Sequence, residues 1–223
     1  MRIVALRIAL LVVMFGGLTS QVWAQDGDNW EIYGVGGGSL YRDLSATANN
    51  PSRSAKAGFF QGVAAGMVVA QTGQNRWGGE FHYLFQTNNM RLRPPSGSTG
   101  GADFSGQSHI LNYDVLLYAA PRQAKTRLYI AGGPGFKYYQ ASGLERAFQP
   151  LSSVVILSRE NDVKFLVSGG AGVKHRINNN TVIRADFRDY VTGIPNNFAA
   201  FPGAKLGGQF HNFVATFGVG ILF

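Results

Sequence analysis

The sequence predicts an all-β protein: a closed, antiparallel, up-and-down transmembrane β-barrel of about eight strands, preceded by a cleaved signal peptide. Three observations predict it. The final stretch, from Gln209 to Phe223, alternates an apolar set (Phe213, Ala215, Phe217, Val219, Ile221, Phe223) with a small or polar set (Asn212, Val214, Thr216, Gly218, Gly220, Leu222). A period of two puts those sets on opposite faces of a strand. The 223 residues include 30 glycines and 16 phenylalanines with few charges, and glycine is a poor helix former. Finally, short and long connections alternate between the strands, which is the layout of an outer-membrane barrel.

At the amino end, Arg2 and Arg7 precede an apolar run from Ile8 to Leu18, and Val22-Trp23-Ala24 forms a small-x-small cleavage site. The apolar run is shorter than the ~20 residues a spanning helix needs. Residues 1–24 are therefore assigned to a signal peptide and 25–223 to the barrel domain. No cysteine is present, which excludes a lipidated cysteine and disulfides. The net charge of +8 comes from scattered residues rather than a Lys/Arg block, so nucleic acid is not an expected partner. After residue 24 no second long apolar segment follows, and only a closed barrel then satisfies every backbone group in lipid.

The eight strands read in order as follows. Trp30 to Tyr41 sets Trp30 and Ile32 against Glu31 and Tyr33. Ala57 to Gln71 has no clear facing, because Ala, Gly and Val fall on both sides. Asn75 to Thr87 sets Trp77, Phe81, Tyr83 and Phe85 against Glu80, His82 and Gln86. Gln107 to Ala120 sets Leu111, Tyr113, Val115 and Leu117 against Asn112 and Asp114. Thr126 to Ala141 sets Leu128, Ile130, Phe136 and Tyr138 against Tyr129, Lys137 and Tyr139. Pro134 lacks a ladder donor, which predicts a bulge in that strand. Asn161 to Ile177 sets Phe165, Val167 and Val173 against Ser168, Lys174 and Arg176. Thr181 to Gly193 alternates Arg184, Asp186, Arg188 and Tyr190 with Ile183, Ala185, Phe187 and Val191. The terminal strand closes the set.

Connections after the second, fourth and sixth strands are short; the other four are roughly fifteen to nineteen residues long. Both termini then lie on the periplasmic side, with Trp30, Trp77 and Phe223 at one membrane boundary; Tyr138 is a further interfacial aromatic. Within the third long loop, Leu151 to Leu157 is a candidate strand extension above the membrane.

Charged side chains on inward faces must pair in a dry lumen. Glu80, Asp114, Lys137, Lys174, Arg176, Arg184, Asp186 and Arg188 are the expected lumen charge network. A structural plug is favoured over an ion path or a catalytic cluster, because an eight-stranded bore is just wide enough for side chains. Asp189 falls on the lipid face and is expected near the external interface. The histidines His82, His109, His175 and His211 lie on separate strands without paired spacing, which gives a metal site no support. Ser108, His109 and Asp114 could compose a hydrolase triad, but no nucleophile elbow marks it. The glycine clusters are not followed by Lys-Ser/Thr and open no helix, so no phosphate-binding cofactor is expected. The long loops hold Arg42, Arg53, Lys56, Arg91, Arg93, Arg146, Arg159 and Lys205 against Asp43, Asp103, Glu145 and Glu160. That net positive rim suits lipopolysaccharide phosphates, or is ordinary solvated charge.

Thr216-x-Gly218-x-x-Ile221-x-Phe223 resembles the carboxy-terminal β-signal read by the barrel assembly machinery. Gly170-x-Gly172-Val173-Lys174, with Thr181 to Tyr190, resembles the last hairpin of the small OmpA/OmpX-like outer-membrane barrels. The resemblance implies Sec-type export to the bacterial outer membrane, insertion by that machinery, a monomer, and contacts with outer-membrane lipid and lipopolysaccharide. Residues of the lipid A palmitoyltransferase and deacylase barrels have no match, so no such activity is carried over. The expected function is a non-enzymatic barrel with a plugged polar lumen and contact-making loops. The alternatives are a lipid-modifying enzyme, a narrow pore, or a soluble lipocalin-like barrel with the opposite facing.

Overall fold

A computed structural model describes residues 29–48, 54–73, 76–94, 101–143, 149 and 151–223. The expected signal segment (residues 1–24), Arg53, Glu145 and Arg146 lie outside the described residues. No helix occurs among the described residues. In chain order the strands are β1 (Asn29–Tyr41), β2 (Leu44–Ala48), β3 (Ser54–Phe59), β4 (Gly62–Thr72), β5 (Trp77–Thr87), β6 (Met90–Arg93), β7 (Ala102–Phe104), β8 (Gly106–Tyr118), β9 (Thr126–Ala141), β10 (Val155–Leu157), β11 (Asn161–Arg176), β12 (Thr181–Thr192), β13 (Phe198–Ala200), β14 (Ala204–Leu206) and β15 (Phe210–Leu222).

Eight of them close a barrel in the order β1-β15-β12-β11-β9-β8-β5-β4, every neighbouring pair antiparallel. Its stagger follows from the registers. From Ser39 the paired residues run Val214, Arg188, Gly170, Ala131, Leu116, Gly78 and Thr72, and return to β1 at Asn29, ten residues away. A stagger of this size tilts the strands by roughly 35–45° and leaves a bore that side chains can fill.

The barrel is apolar outside and polar inside. Phe187 and Phe217 are each 55% exposed, whereas Arg184 is 1% and Asp186 6% exposed. Phe213 lies on the outer face with them, stacked on Phe187 at 6.1 Å between ring centroids. A soluble lipocalin-like barrel would reverse every one of these facings. Ala64, Val68 and Ala70 of β4 point inward and Val63 and Met67 outward, which resolves the strand whose pattern was ambiguous.

Four expectations are corrected. Pro134 causes no bulge. The β8–β9 pairing lapses opposite it but resumes in the same register, Asn112↔Gly135 on one side and Val115↔Gly132 on the other. Gly133 and Gly135 flank the proline and lie so close to the β8 backbone that a Cβ on either would collide with it. The ladder therefore skips the missing donor without an inserted residue. The predicted second strand is two strands, β3 and β4, separated at Phe60-Gln61. Of Leu151 to Leu157, only Val155–Leu157 is extended, and it pairs with β13.

The fourth correction concerns the long connections. The long connections are not simply solvated loops: their extended parts form a cap over one end of the barrel. A five-stranded sheet runs β14-β2-β3-β6-β7, beside the β10–β13 pair. The inward residues of both, among them Leu44, Ala57, Phe59, Leu92, Phe104, Val155 and Phe198, join Tyr41, Tyr139 and Phe210 of the barrel in one apolar core. Phe59 sits at its centre, 4.6 Å from Tyr41, 5.6 Å from Tyr139, 5.2 Å from Phe198 and 5.1 Å from Phe210 between ring centroids.

Candidate functional site: the charged lumen

Alternation sends every second residue of the barrel strands into the bore, and the bore carries charge at mid-height. Glu80 comes from β5, Asp114 from β8, Lys174 from β11, and Arg184, Asp186 and Arg188 from β12; all six are buried. Arg184 donates from Nη1 to Glu80 Oε2 at 2.9 Å and from Nη2 to Glu80 Oε1 at 3.1 Å. It also donates from Nε to Asp186 Oδ2 at 2.6 Å. Arg188 donates to both Glu80 and Asp114 and reaches Asp186 Oδ1 at 3.3 Å. A guanidinium presents five donors in a planar fork, so one arginine can serve two or three carboxylates.

Two expected members stand elsewhere. Lys137 occupies a separate layer nearer the cap. Its ammonium donates to the Tyr41 hydroxyl at 2.6 Å and to Gln86 Oε1 at 3.0 Å, and lies 4.7 Å from the Tyr41 ring centroid. None of its hydrogen-bond partners among the described residues is a carboxylate. The physical reason is height: Lys137 shares its level with Gln86 and Asn212, whose amide groups also meet at 2.8 Å. Arg176 is half-buried at the opposite end of β11, where it pairs with Val182 beside the turn, outside the cluster.

Several members were not foreseen as such. Glu31 accepts from Lys174 Nζ at 2.7 Å, from the Tyr33 hydroxyl at 2.5 Å and from Thr72 Oγ1 at 3.1 Å. Tyr129 donates to Asp186 and accepts from Arg184 at 2.9 Å. Ser168 donates to Asp114. His82 Nε2 lies 2.6 Å from Glu80 Oε1. Inward facing alone marked Glu31, Tyr33, His82 and Tyr129; the stagger that brings them to one level is not visible in any single strand. Small residues open the space they need: a Cβ on Gly172 would strike the Tyr129 hydroxyl, and one on Gly220 the Tyr33 ring.

Chemically, the cluster is a nearly balanced set of fixed charges. Four carboxylates (Glu31, Glu80, Asp114, Asp186) face three permanent cations (Lys174, Arg184, Arg188), with His82 between Glu80 and Asp114. Glu80, His82 and Asp114 bring ligand-type atoms within 4.8 Å of one another. Arg188 donates to both of those carboxylates and so takes the place a metal ion would need.

The triad of Ser108, His109 and Asp114 is divided by the barrel wall. Ser108 and Asp114 are buried on the inner face. His109 lies on the outer face, where its Nδ1 meets the Tyr83 hydroxyl at 2.9 Å. Adjacent residues of a strand point to opposite sides, and Ser108 and His109 are adjacent. Asp189, outward-facing near the capped end of β12, is 2.6 Å from His211 Nδ1. His175, near the other end of β11, meets Thr126 Oγ1 at 2.8 Å.

The outer surface has aromatic residues near each end of the barrel. Trp30 and Phe223 exchange backbone hydrogen bonds of 3.0 Å, and Trp77 starts β5 at the same end. Tyr138 stands at the capped end, 6.1 Å from the His109 ring. Thr216, Gly218, Ile221 and Phe223 lie on β15 and just beyond it; Ile221 and Phe223 are exposed on the apolar face, and Gly218 is buried where β15 passes Val35.

No family model and no curated protein sequence matches the chain. Among solved structures it is similar to the outer membrane protein OprG of Pseudomonas aeruginosa, at 12% sequence identity and a TM-score of 0.60, covering 88% of this chain and 96% of that one. It is also similar to the N-terminal β-barrel domain of Pseudomonas aeruginosa OprF (12% identity, 89% and 100% covered, TM-score 0.46). A third similar structure is Ail, the attachment invasion locus protein of Yersinia pestis (14% identity, 89% and 100% covered, TM-score 0.43). The OprG likeness is one of fold: a closed eight-stranded antiparallel barrel of the outer-membrane type.

Proposed function

We propose that the protein is a non-enzymatic, monomeric outer-membrane barrel whose bore is sealed and whose folded cap makes the external contacts. The observation that carries this reading is the span of the ion pairs. Arg184 of β12 and Glu80 of β5 stand four strands apart in a ring of eight, and still meet at 2.9 Å. Lys137 of β9 and Tyr41 of β1 likewise stand four apart and meet at 2.6 Å. Side chains that touch from opposite walls leave no open axis, and the apolar core around Phe59 adds a dry layer above them. Buried charge held by this many bonds acts as a rigid filler and not as a mobile relay. Export by the Sec route, both termini in the periplasm and insertion by the assembly machinery belong to the same reading. They rest on the signal-like amino end, the short turns at the Trp30 end and the terminal motif.

Planar-bilayer recording on the purified full-length protein tests it. Little or no steady conductance is expected, and a stable open level in most insertions would overturn it. Mass spectrometry of lipid A with and without expression addresses the enzyme alternative: an unchanged profile is expected, and a new acylation or deacylation product would replace this reading with a lipid-modifying one.

A further inference from the structure

The outward face of the cap sheet carries charge that its own fold does not use. Row by row across the sheet, Lys205 of β14 is paired with Thr47 of β2. Ser45 of β2 is paired with Lys56 of β3, and Lys56 with Arg93 of β6. Lys56 and Arg93 are thus direct cross-strand neighbours of like charge, an arrangement that destabilises a sheet. In the row nearer the barrel one cation faces two carboxylates: Arg91 donates to both Asp43 oxygens, at 3.1 and 3.2 Å, and Asp103 is its cross-strand partner. No carboxylate among the described residues forms an ion pair with Lys56, Arg93 or Lys205. All three are exposed, with the hydroxyls of Ser45 and Thr47 between them.

The direction in which this face looks identifies what would neutralise it. Along β5 and β6 the outward residues run Tyr83, Phe85, Thr87, Asn89, Arg91 and Arg93, with the inward positions between them buried. The same wall therefore passes from aromatic through uncharged polar to basic as it leaves the apolar belt. The Arg91 and Arg93 guanidinium groups lie 5.0 and 5.9 Å from the ring centroid of Phe60, which directly follows β3. These cations look sideways, over the surrounding leaflet. A headgroup anion there can bridge Lys56 and Arg93 and remove their repulsion.

We infer that the outward face of the cap sheet, through Lys56, Arg93 and Lys205 with Ser45 and Thr47, binds the phosphate groups of lipopolysaccharide in the surrounding leaflet. This rests on the outer-membrane reading above and assigns it a site. Multiple phosphates on one lipid suit several cations spread over three strands, since each exposed pair alone contributes little.

The test uses the full chain in detergent micelles with purified lipopolysaccharide, the same material after removal of its phosphates, and heparin as a soluble polyanion. The wild-type protein should bind the phosphorylated lipid in a salt-sensitive manner and the dephosphorylated lipid poorly. The triple variant K56S/R93T/K205T should bind the phosphorylated lipid about tenfold more weakly. Lys125→Ser, a basic residue exposed at the opposite end of the barrel, should bind as the wild type does. Without lipid, the triple variant should melt at the same temperature as the wild type or higher, because a repulsive pair is gone. Unchanged lipopolysaccharide binding by the triple variant would overturn the assignment, as would an equal loss in Lys125→Ser. Loss of heparin binding with lipopolysaccharide binding intact would also overturn it, in favour of a soluble polyanion. A lower melting temperature would show that the cations serve the fold. Failure of the underlying barrel reading would register separately, as loss of heat-modifiable migration in the wild-type protein.

Discussion

Arg184 and Glu80 meet across the axis of the barrel, joined by two hydrogen bonds of 2.9 and 3.1 Å, with both side chains fully shielded from solvent. Glu80 also receives Arg188 and touches His82, so one carboxylate anchors three neighbours. Glu80→Gln would leave two buried guanidinium groups short of a charge. A loss of about 3–5 kcal/mol is expected, because breaking a buried pair strands its partner. Urea unfolding of the protein in lipid vesicles measures it, and a loss under about 1 kcal/mol would show the cluster to be solvated. Glu80→Gln combined with Arg184→Met should cost less than the sum of the two single changes.

Phe59→Ala separates the cap from the barrel. Removing a buried phenylalanine costs about 3–5 kcal/mol where its neighbours do not collapse. Phe59 packs against Tyr41, Tyr139, Phe198 and Phe210, so that cost falls on the cap. Faster proteolysis within residues 42–61 and 88–105 is expected, while heat-modifiable migration persists. Loss of both together would mean that cap and barrel fold as one unit.

Phe217→Arg tests the lipid face. The residue is exposed in the middle of β15. An arginine there should destabilise the inserted barrel by about 2–4 kcal/mol, the value for the bilayer midplane. Asp189→Asn, nearer the capped end, should change stability by less than about 1 kcal/mol, since its half-buried pair with His211 lies away from the bilayer midplane and the amide keeps an oxygen that can accept from the ring. Equal effects at the two positions would remove the depth ordering.

Gly172→Val tests the room made for the lumen side chains. The added methyl groups would strike the Tyr129 hydroxyl, which bonds both Arg184 and Asp186. A reduced yield of heat-modifiable protein is expected on refolding. Restoration by a second change, Tyr129→Phe or Tyr129→Ala, would locate the fault at that contact.

Much of this architecture was legible in the sequence because a membrane barrel writes its facing into every second residue. β12 and β15 show it most plainly: Arg184, Asp186 and Arg188 against Phe187, and Val219 and Ile221 against Gly218 and Gly220. The short turns read at Thr72-Gly73-Gln74 and Asn178-Asn179-Asn180 marked two of the hairpins. The cap was not legible, although Leu44/Ala46, Ala55/Ala57 and Met90/Leu92 also alternate. Those runs are only four to six residues long and lie among Gly, Pro and Asn tracts, so their period is lost among turn signals. Partners in the bore were legible as a set and not as pairs. Which inward residue meets which depends on the ten-residue stagger, a property of the closed ring. Lys137 shows the consequence: its charge suggested a carboxylate partner, and its level gave it Tyr41 and Gln86 instead.

The facing of β12 and β15 in a bilayer is the most direct measurement. In a background carrying Trp30→Phe and Trp77→Phe, single tryptophans are introduced by Phe187→Trp, Phe217→Trp and Tyr190→Trp, and a chain of residues 25–223, which lacks Trp23, is refolded into vesicles containing lipids brominated in the acyl chains. Strong quenching is expected for the first two, whose parent side chains face outward, and little for the third, whose parent side chain is buried in the bore. Quenching of the Tyr190→Trp protein with the two Phe-derived variants protected would mean that the barrel faces the other way, and would contradict the account.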